Sequence, residues 1–310
     1  MLAGIRTRLT CANVIALVAL FIAASPASGE IDAGDLDTAA TVTADFHAGA
    51  TDGGQVAGGY VSCPAGYKVF TGGAFWWRNS PDEFLIGDST LTLNGSTPTF
   101  DGNGWYADGL NFNDAVDANL RVIARCLPEG RLDKVKLRKK TVGVSAAGPV
   151  DRRVACPDGT RIISGGAFWH NPGAAPDWTG AFDRLASSGP TSARAWYAAG
   201  APQVGPRRLT VVARCLASGR LSAYKRLDDR TTLQSGAPWS VTAGCGGGRR
   251  VGPTGVYFHK PGKPPKPALG DDSRLSAVGA WIDPNVYMDA GAVVGPAELI
   301  RESVAFCLAP

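Results

Sequence analysis

One cysteine-containing stretch occurs three times along the chain, and this repetition constrains the fold more than any other feature. The first copy is Cys63-Pro-Ala-Gly-Tyr-Lys-Val-Phe-Thr-Gly-Gly-Ala-Phe-Trp-Trp77, and the second is Cys156-Pro-Asp-Gly-Thr-Arg-Ile-Ile-Ser-Gly-Gly-Ala-Phe-Trp-His170. The third, Cys245-Gly-Gly-Gly-Arg-Arg-Val-Gly-Pro-Thr-Gly-Val-Tyr-Phe-His259, is degenerate. Units of about 90 residues exceed the length of solenoid repeats and can each bury a small core. We therefore expect three tandem modules, residues 46–128, 129–217 and 218–310, called repeats 1, 2 and 3 below.

Six cysteines follow the N-terminal segment, two in each repeat. In an oxidising compartment, an even number of regularly spaced cysteines predicts disulfides. The repeat selects one pairing: Cys63–Cys126, Cys156–Cys215 and Cys245–Cys307. A structural zinc site would need closely spaced ligands, which the sequence lacks. We therefore expect three disulfides, no metal and no cofactor.

Residues 1–29 have the pattern of a secretory signal peptide. Arg6 and Arg8 precede an apolar run, and Ala27-Ser-Gly29 supplies small residues for cleavage. The apolar run is short for a membrane-spanning helix, although an uncleaved anchor stays open. We expect a secreted or cell-wall-associated protein with no membrane span after cleavage.

Alternating patterns predict β-strands in every repeat. Residues 55–62 and 67–77 read as strands around a Pro-Ala-Gly turn, and Asn119–Cys126 reads as a closing strand. The glycine pair in the middle of the second strand indicates a bulge or a close backbone or aromatic approach. Residues 89–93 read as a strand that ends in a turn at Asn94-Gly95. The predicted fold class is all-β, with three homologous β-sandwich-like modules, each closed by one disulfide.

The segment between the leader and repeat 1, residues 30–45, is rich in Asp, Ala and Thr. Asp32, Asp35 and Asp37 could ligate calcium, but the glycine turn and distal Glu of a calcium loop are missing. We expect a flexible acidic lead-in.

Charge is distributed unevenly along the chain. Residues 30–127 contain 13 acidic and 4 basic side chains, whereas residues 128–310 contain 14 acidic and 25 basic ones. Such opposed fields could orient the protein on a surface or drive head-to-tail association, and drift between repeats gives the same pattern. The basic stretches Lys134–Lys140 and Lys260–Lys266 lack the interleaved aromatics of nucleic-acid sites, so we expect no nucleic-acid partner.

Two histidines occupy one repeat position, directly after an aromatic pair. They are His170 and His259, and repeat 1 has Trp77 there. A catalytic His needs a nucleophile or an orienting acid nearby, for which Asp177, Asp183, Asp271 and Asp272 are the candidates. No known catalytic motif surrounds them. A half-exposed His stacked on aromatic rings is the alternative. The adjacent acids Asp82-Glu83 and Asp271-Asp272 could hydrolyse glycosides as paired carboxylates, but neither pair recurs in repeat 2, and acids in surface turns are the alternative.

Aromatic residues are the stronger indication of function. Phe75, Phe168 and Tyr257 alternate with Trp76, Trp169 and Phe258, so the two sets must point to opposite faces of their strands. One set can fill a core, while the other packs on a second layer or meets solvent, where aromatic rings bind sugars or other partners. The candidate binding residues are Trp77, Arg78, His170, Trp178, His259 and Lys260.

The order Cys-Pro-Ala-Gly, Gly-Gly-Ala, Trp-Tyr-Ala and Val-x-Ala-x-Cys resembles uncharacterised secreted proteins of actinobacteria and related high-GC bacteria. The leader is also similar to theirs. The resemblance covers residues 1–29 and most of repeats 1 and 2, and repeat 3 more weakly. It departs at Cys245-Gly-Gly-Gly and where Arg125 is replaced by Phe306. It implies secretion and small disulfide-closed β-modules, and no activity for any residue.

These observations favour a non-catalytic binding or structural protein of the bacterial cell envelope or exterior. Its expected partner is a cell-wall or extracellular glycan or another surface protein. One alternative is a secreted hydrolase with a single site around His170 or His259. Another is a secreted inhibitor or toxin-like protein that docks through a loop such as Lys260–Pro267.

Overall fold

A computed structural model describes residues 29–50, 54–78, 90–145, 148–173, 183–203, 205–259, 273–283, 286–293 and 298–310. These residues form an all-β structure with one α-helix, α1 (Ala33–Asp37), and short 3-10 turns at Glu129–Leu132 and Ser218–Arg220. The strands are β1 (Ala40–Ala48), β2 (Gln55–Ser62), β3 (Tyr67–Trp77), β4 (Leu91–Pro98), β5 (Gly104–Asn111), β6 (Ala118–Pro128), β7 (Lys136–Val144), β8 (Val150–Ala155), β9 (Thr160–His170), β10 (Arg184–Ser192), β11 (Ala195–Ala201), β12 (Arg207–Ala217), β13 (Tyr224–Leu233), β14 (Pro238–Gly244), β15 (Arg250–His259), β16 (Ser273–Asp283), β17 (Val286–Val293) and β18 (Leu299–Leu308). The predicted strands 55–62 and 67–77 are confirmed as β2 and β3.

The strands form three six-stranded antiparallel sheets, each of which combines strands from two repeats. Sheet I has the order β1-β6-β3-β16-β17-β14, sheet II the order β2-β5-β4-β9-β12-β7, and sheet III the order β8-β11-β10-β15-β18-β13. Repeats 3 and 1 meet where β16 pairs with β3, repeats 1 and 2 where β4 pairs with β9, and repeats 2 and 3 where β10 pairs with β15. The repeats are therefore linked in a closed ring by shared sheets.

The glycine pair makes this ring possible, because each glycine has its own close neighbour. A Cβ on Gly72 or Gly165 would lie within 2.5 Å of the Trp105 or Trp196 indole, respectively. A Cβ on the following glycine, Gly166, would lie 2.1 Å from the backbone oxygen of Ser96 on the neighbouring repeat. Both the aromatic and the backbone approach expected from the sequence are thus present.

The main core draws on all three repeats. Trp76, Trp169 and Phe258 belong to one apolar cluster and are buried. Phe75 and Tyr257 point to the opposite face, where each packs in a separate buried cluster. Both aromatic sets are therefore covered.

The disulfides have the predicted pairing and each joins two sheets. The Cα–Cα distances are 5.8 Å for Cys63–Cys126, 5.7 Å for Cys156–Cys215 and 5.8 Å for Cys245–Cys307. Each first cysteine follows an edge strand of one sheet, and each second cysteine lies on a strand of another.

Residues 30–45 differ from the flexible lead-in expected from their composition. Asp32 and Asp35 form a capping box at the start of α1, and β1 begins at Ala40. Ile31 and Leu36 are fully buried in an apolar cluster shared with all three repeats. The two buried apolar side chains fix the segment, and the acids that suggested mobility serve as cap and ion-pair partners.

The expected turn at Asn94-Gly95 is also wrong, because β4 runs through it. The register shifts between Leu93 and Gly95, so the Asn-Gly pair forms a bulge within the strand. The buried Asn94 amide donates to the Asp108 carboxylate at 3.4 Å.

No helix within the described ranges has the length and apolar character needed to cross a membrane.

Candidate functional site

The position after each aromatic pair holds Trp in repeat 1 and His in repeats 2 and 3, and these residues lie in three different sheets. Trp77 ends β3 in sheet I, His170 ends β9 in sheet II, and His259 ends β15 in sheet III. The hydrogen-bond and ion-pair partners described below differ from one repeat to the next. The structure therefore places three separate local sites where the sequence suggested one recurring site.

In repeat 1 the site is an ion pair beneath an indole. Arg121 donates to the Asp45 carboxylate through Nε at 2.8 Å and Nη2 at 2.7 Å. The Trp77 Nε1 donates to the same carboxylate at 3.0 Å, and the guanidinium lies 5.5 Å from the Trp77 ring centroid. The hydrogen bond from Arg121 is the main reason that the pKa of Asp45 falls below its usual value. Trp77 keeps part of its surface exposed, so the site can present an aromatic edge and a charged pair to solvent.

In repeat 2 the site is an imidazole bonded to a hydroxyl. The His170 Nδ1 lies 3.1 Å from the Asn171 carbonyl oxygen, which can only accept, so this nitrogen carries a proton. In the neutral ring, Nε2 then accepts from the Thr210 hydroxyl at 2.9 Å, and Thr210 is 2.7 Å from the Thr141 hydroxyl. His170 is 8% exposed and Thr210 is 3% exposed. This pair has the hydroxyl-to-base contact that nucleophile activation requires.

The expected acidic partner of His170 reaches it only indirectly. Asp183 is fully buried and accepts from the Arg207 Nε at 2.9 Å. Arg207 in turn donates to the Asn171 side chain at 2.8 Å, and it is the Asn171 backbone that meets His170. Burial raises the pKa of Asp183 to about 6, against the opposing charge of Arg207.

In repeat 3 the imidazole faces a carboxylate that other groups already hold. Glu302 accepts from Arg226 at 2.8 Å and from the Tyr257 hydroxyl. The His259 Nε2 is 3.8 Å from the second Glu302 oxygen, and neither ring nitrogen has a hydrogen-bond partner among the described residues. Burial, followed by the hydrogen bond to Glu302, raises the pKa of Tyr257.

The other candidates from the sequence are not gathered at these sites. Arg78 follows Trp77, and its backbone oxygen accepts from the Asn119 side chain at 3.4 Å. Trp178 and Lys260 lie outside the described residues, as do Asp82, Glu83, Asp177, Asp271, Asp272 and the loop 260–267. The signal peptide predicted for residues 1–29 is likewise outside them, apart from Gly29. No group of three or more His, Cys, Asp or Glu side chains within the described ranges could hold a metal ion.

The recurring tryptophans belong to the interior. Trp76, Trp105, Trp169 and Trp196 are at most 3% exposed. Each indole N–H has a partner, such as the Ser96 hydroxyl at 3.0 Å from Trp105. These four side chains therefore stabilise the core and offer no platform to a ligand.

Sequence reasoning missed the most exposed aromatic ring of the described chain. Tyr60 on the edge strand β2 is 66% exposed, and Val56 on the same face is 46% exposed. Tyr60 lies opposite Tyr106 in the register of β2 and β5. The alternation of side chains along β2 could have indicated this exposure, because Tyr60 and Val56 fall on the strand face opposite the buried Ala57 and Val61.

No protein-family model matches the chain, and no curated protein is significantly similar to it.

Proposed function

We propose that the chain is an exported, non-catalytic binding or structural protein of the bacterial cell envelope, built from three homologous β-sandwich-like modules around a pseudo-threefold axis. The observation that carries the proposal is the divergence at one repeat position. Trp77, His170 and His259 have different partners, and no reactive constellation recurs among the residues that the structure describes. Three inter-sheet disulfides suit an oxidising exterior.

The glycan version of this proposal places the ligand on repeat 1. Tyr60 is the most exposed aromatic side chain there, Trp77 keeps part of its surface exposed, and the Arg121–Asp45 pair beside Trp77 offers polar groups for sugar hydroxyls. Aromatic residues and arginine are both enriched at binding surfaces.

The test is a cell-wall pulldown and a glycan array with wild-type protein, Tyr60→Ser and Trp77→Ala. We expect the wild type to bind and at least one variant to lose binding while its thermal unfolding midpoint stays near that of the wild type. Val56→Ser, on the same strand face as Tyr60, is the matched control. Wild-type protein that binds neither wall nor glycan overturns this version.

A second candidate function is hydrolysis at repeat 2. The 2.9 Å contact between His170 Nε2 and the Thr210 hydroxyl favours it. Ester and peptide substrates should then be cleaved by wild-type protein, with the rate lost in both His170→Ala and Thr210→Val. Activity that persists in His170→Ala and in His259→Ala dismisses both histidine sites.

A further inference from the structure

Repeat 3 has polar atoms at interior positions where repeats 1 and 2 have none. The strand registers align the three repeats residue by residue, so each position can be compared with its two counterparts. The substituted positions are Trp239 for Ala57 and Val150, Thr254 for Gly72 and Gly165, Asp289 for Ala107 and Ala198, Arg301 for Leu120 and Leu209, and Ser303 for Val122 and Val211.

These substitutions lie on two sheets that face each other inside repeat 3. Trp239 and Asp289 belong to β14 and β17 of sheet I, whereas Thr254, Arg301 and Ser303 belong to β15 and β18 of sheet III. All five side chains are at most 4% exposed. The Arg301 guanidinium lies 5.6 Å from the Trp239 ring centroid, so polar groups of the two sheets meet across the interior.

Each of these side chains has a buried polar atom without a hydrogen-bond partner among the described residues. The atoms are Trp239 Nε1, Thr254 Oγ1, Asp289 Oδ2, Arg301 Nε and Ser303 Oγ. Buried polar atoms in folded proteins nearly always have a partner, which is either protein or ordered water. The interior of repeat 3 therefore requires partners from outside the chain.

The mixture of donors and acceptors indicates which ligand can supply them. The unpartnered atoms of Trp239 and Arg301 can only donate, an ionised Asp289 can only accept, and the hydroxyls of Thr254 and Ser303 can do both. A metal cation or an anion would meet atoms of the wrong polarity in this set. Water both donates and accepts, so it can pair with every member.

A small cavity where the three repeats meet provides space for such a ligand. Its volume is about 10 Å³, and Ser96 of repeat 1, Ser188 of repeat 2 and Thr254 of repeat 3 line it. The Ser96 hydroxyl accepts from the Trp105 indole at 3.0 Å and the Ser188 hydroxyl from the Trp196 indole at 3.1 Å, so each serine still has its own proton to donate. A cavity of this size holds about one water molecule and excludes larger ligands.

We propose that the interior of repeat 3 is a binding site for internal water, with one molecule in this cavity. The hydroxyls of Ser96 and Ser188 donate to the water, and the water donates to Thr254 Oγ1. Three hydrogen bonds are the usual number for a buried water. The molecule joins one side chain from each repeat, and it is separate from the surface that we propose for a glycan.

A crystal structure and the magnetic relaxation dispersion of solvent oxygen test this site in the full disulfide-bonded chain. The dispersion counts water molecules that stay bound for longer than the protein takes to tumble. We expect at least one such molecule in the wild type. The electron density should show it within about 3.0 Å of Thr254 Oγ1, the range of an O–H···O hydrogen bond.

Two variants remove a hydroxyl that the water would contact. Thr254→Val puts a methyl group in its place with little change of shape, so the density in the cavity should vanish and the count of long-lived waters should fall by one. Thr232→Val, on the exposed part of β13, is the matched control and should keep the wild-type count. If Thr254→Val fails to fold, Ser303→Val restores the residue of repeats 1 and 2 and should also lower the count.

The proposal is overturned if the wild type has no long-lived water, or if the crystal structure shows Thr254 Oγ1 bonded to a protein group. A folded Thr254→Val that keeps both the density and the count also overturns it. Binding to cell wall or glycan should be the same in Thr254→Val as in the wild type, so a failure of the envelope proposal is recognised separately.

Discussion

Asp289 shows how one residue changes the interior of repeat 3. It occupies the position of Ala107 in repeat 1 and Ala198 in repeat 2, inside the protein. Its Oδ1 accepts from the Gly279 N–H at 2.9 Å, and its Oδ2 has no hydrogen-bond partner among the described residues. Burial raises the pKa of Asp289 from 3.8 to about 7. The folded state therefore binds this proton more tightly than the unfolded chain does.

We expect this carboxyl to make the protein less stable as pH rises. The free energy of unfolding should fall between pH 3.8 and about pH 7, because the folded state must release a proton that it holds more tightly. Asp289→Asn removes this contribution and should gain stability relative to wild type at pH 8 over pH 5, by up to about 3 kcal/mol. Urea titrations at the two pH values measure the difference. The exposed Asp158→Asn should show no such gain, and equal pH dependence in Asp289→Asn and wild type would contradict the assignment.

At the scale of the element, the Gly-Gly strand joins one repeat to the next. Gly166 on β9 passes against the backbone of β4, and Gly255 on β15 passes against that of β10. In repeat 3 the first glycine of the pair becomes Thr254, and the ring it faced in the other repeats becomes the smaller Tyr287 in place of Trp. A larger side chain on the strand is therefore matched by a smaller ring opposite it.

Gly166→Ala should strongly destabilise the protein. Its new Cβ would meet the Ser96 oxygen at 2.1 Å, and backbone on both sides must move. We expect a loss of about 1–3 kcal/mol or more, the range for overpacking. Gly143→Ala on the edge strand β7 has nothing within 4 Å of the new atom and is the control. Chemical denaturation compares the two, and a neutral Gly166→Ala would show that the repeats do not pack this closely.

Helix α1 is the second element whose role is testable. Leu36 contributes a fully buried side chain to the cluster that closes one end of the molecule. Leu36→Ala should cost about 2–5 kcal/mol of unfolding free energy, as a large cavity does. Thermal melts would measure it, with Thr38→Ala at the exposed end of the helix as the control. A small loss would mean that the segment is held by its ion pairs.

At the scale of the molecule, every sheet is built from two halves that come from different parts of the chain. In sheet I, β1, β6 and β3 form one half, and β16, β17 and β14 of repeat 3 form the other; sheets II and III are divided in the same way. Ion pairs also connect distant parts of the chain, because Asp35 pairs with Arg131 at 2.8 Å and Asp37 pairs with Arg250. Part of the acidic excess of residues 30–127 is therefore balanced by intramolecular ion pairs with basic residues of repeats 2 and 3.

The whole chain should therefore unfold in one step. Calorimetry should give equal calorimetric and van't Hoff enthalpies, the criterion for a two-state transition. A chain shortened to residues 29–217 should lack stable structure, because β3 and β10 would each lose a neighbouring strand. Cys156→Ser with Cys215→Ser in the full chain should lower stability by about 2–4 kcal/mol without splitting the transition. Separate transitions for separate repeats would contradict the shared sheets.

The sequence contained the repeat, the disulfide pairing and the boundaries of β2 and β3, because these depend on spacing and alternation within one repeat. The pairing of strands from different repeats could not be predicted, because nothing in the sequence around Phe75 and Ala277 indicates that these two residues are neighbours in one sheet. The same holds for the site. Trp77, His170 and His259 could be found as a divergent position, but Asp45, Thr210 and Glu302 come from distant strands and only the fold brings them there.

The pairing of β3 with β16 also sets the order of events during synthesis. Residues 67–77 must wait for residues 273–283 before sheet I can close. A ribosome delivers the early strands long before their partners exist, so the nascent chain carries unpaired strand edges until synthesis is nearly complete. Until β16 has been made, β3 therefore presents an open edge at which the unfinished chain can pair with another chain.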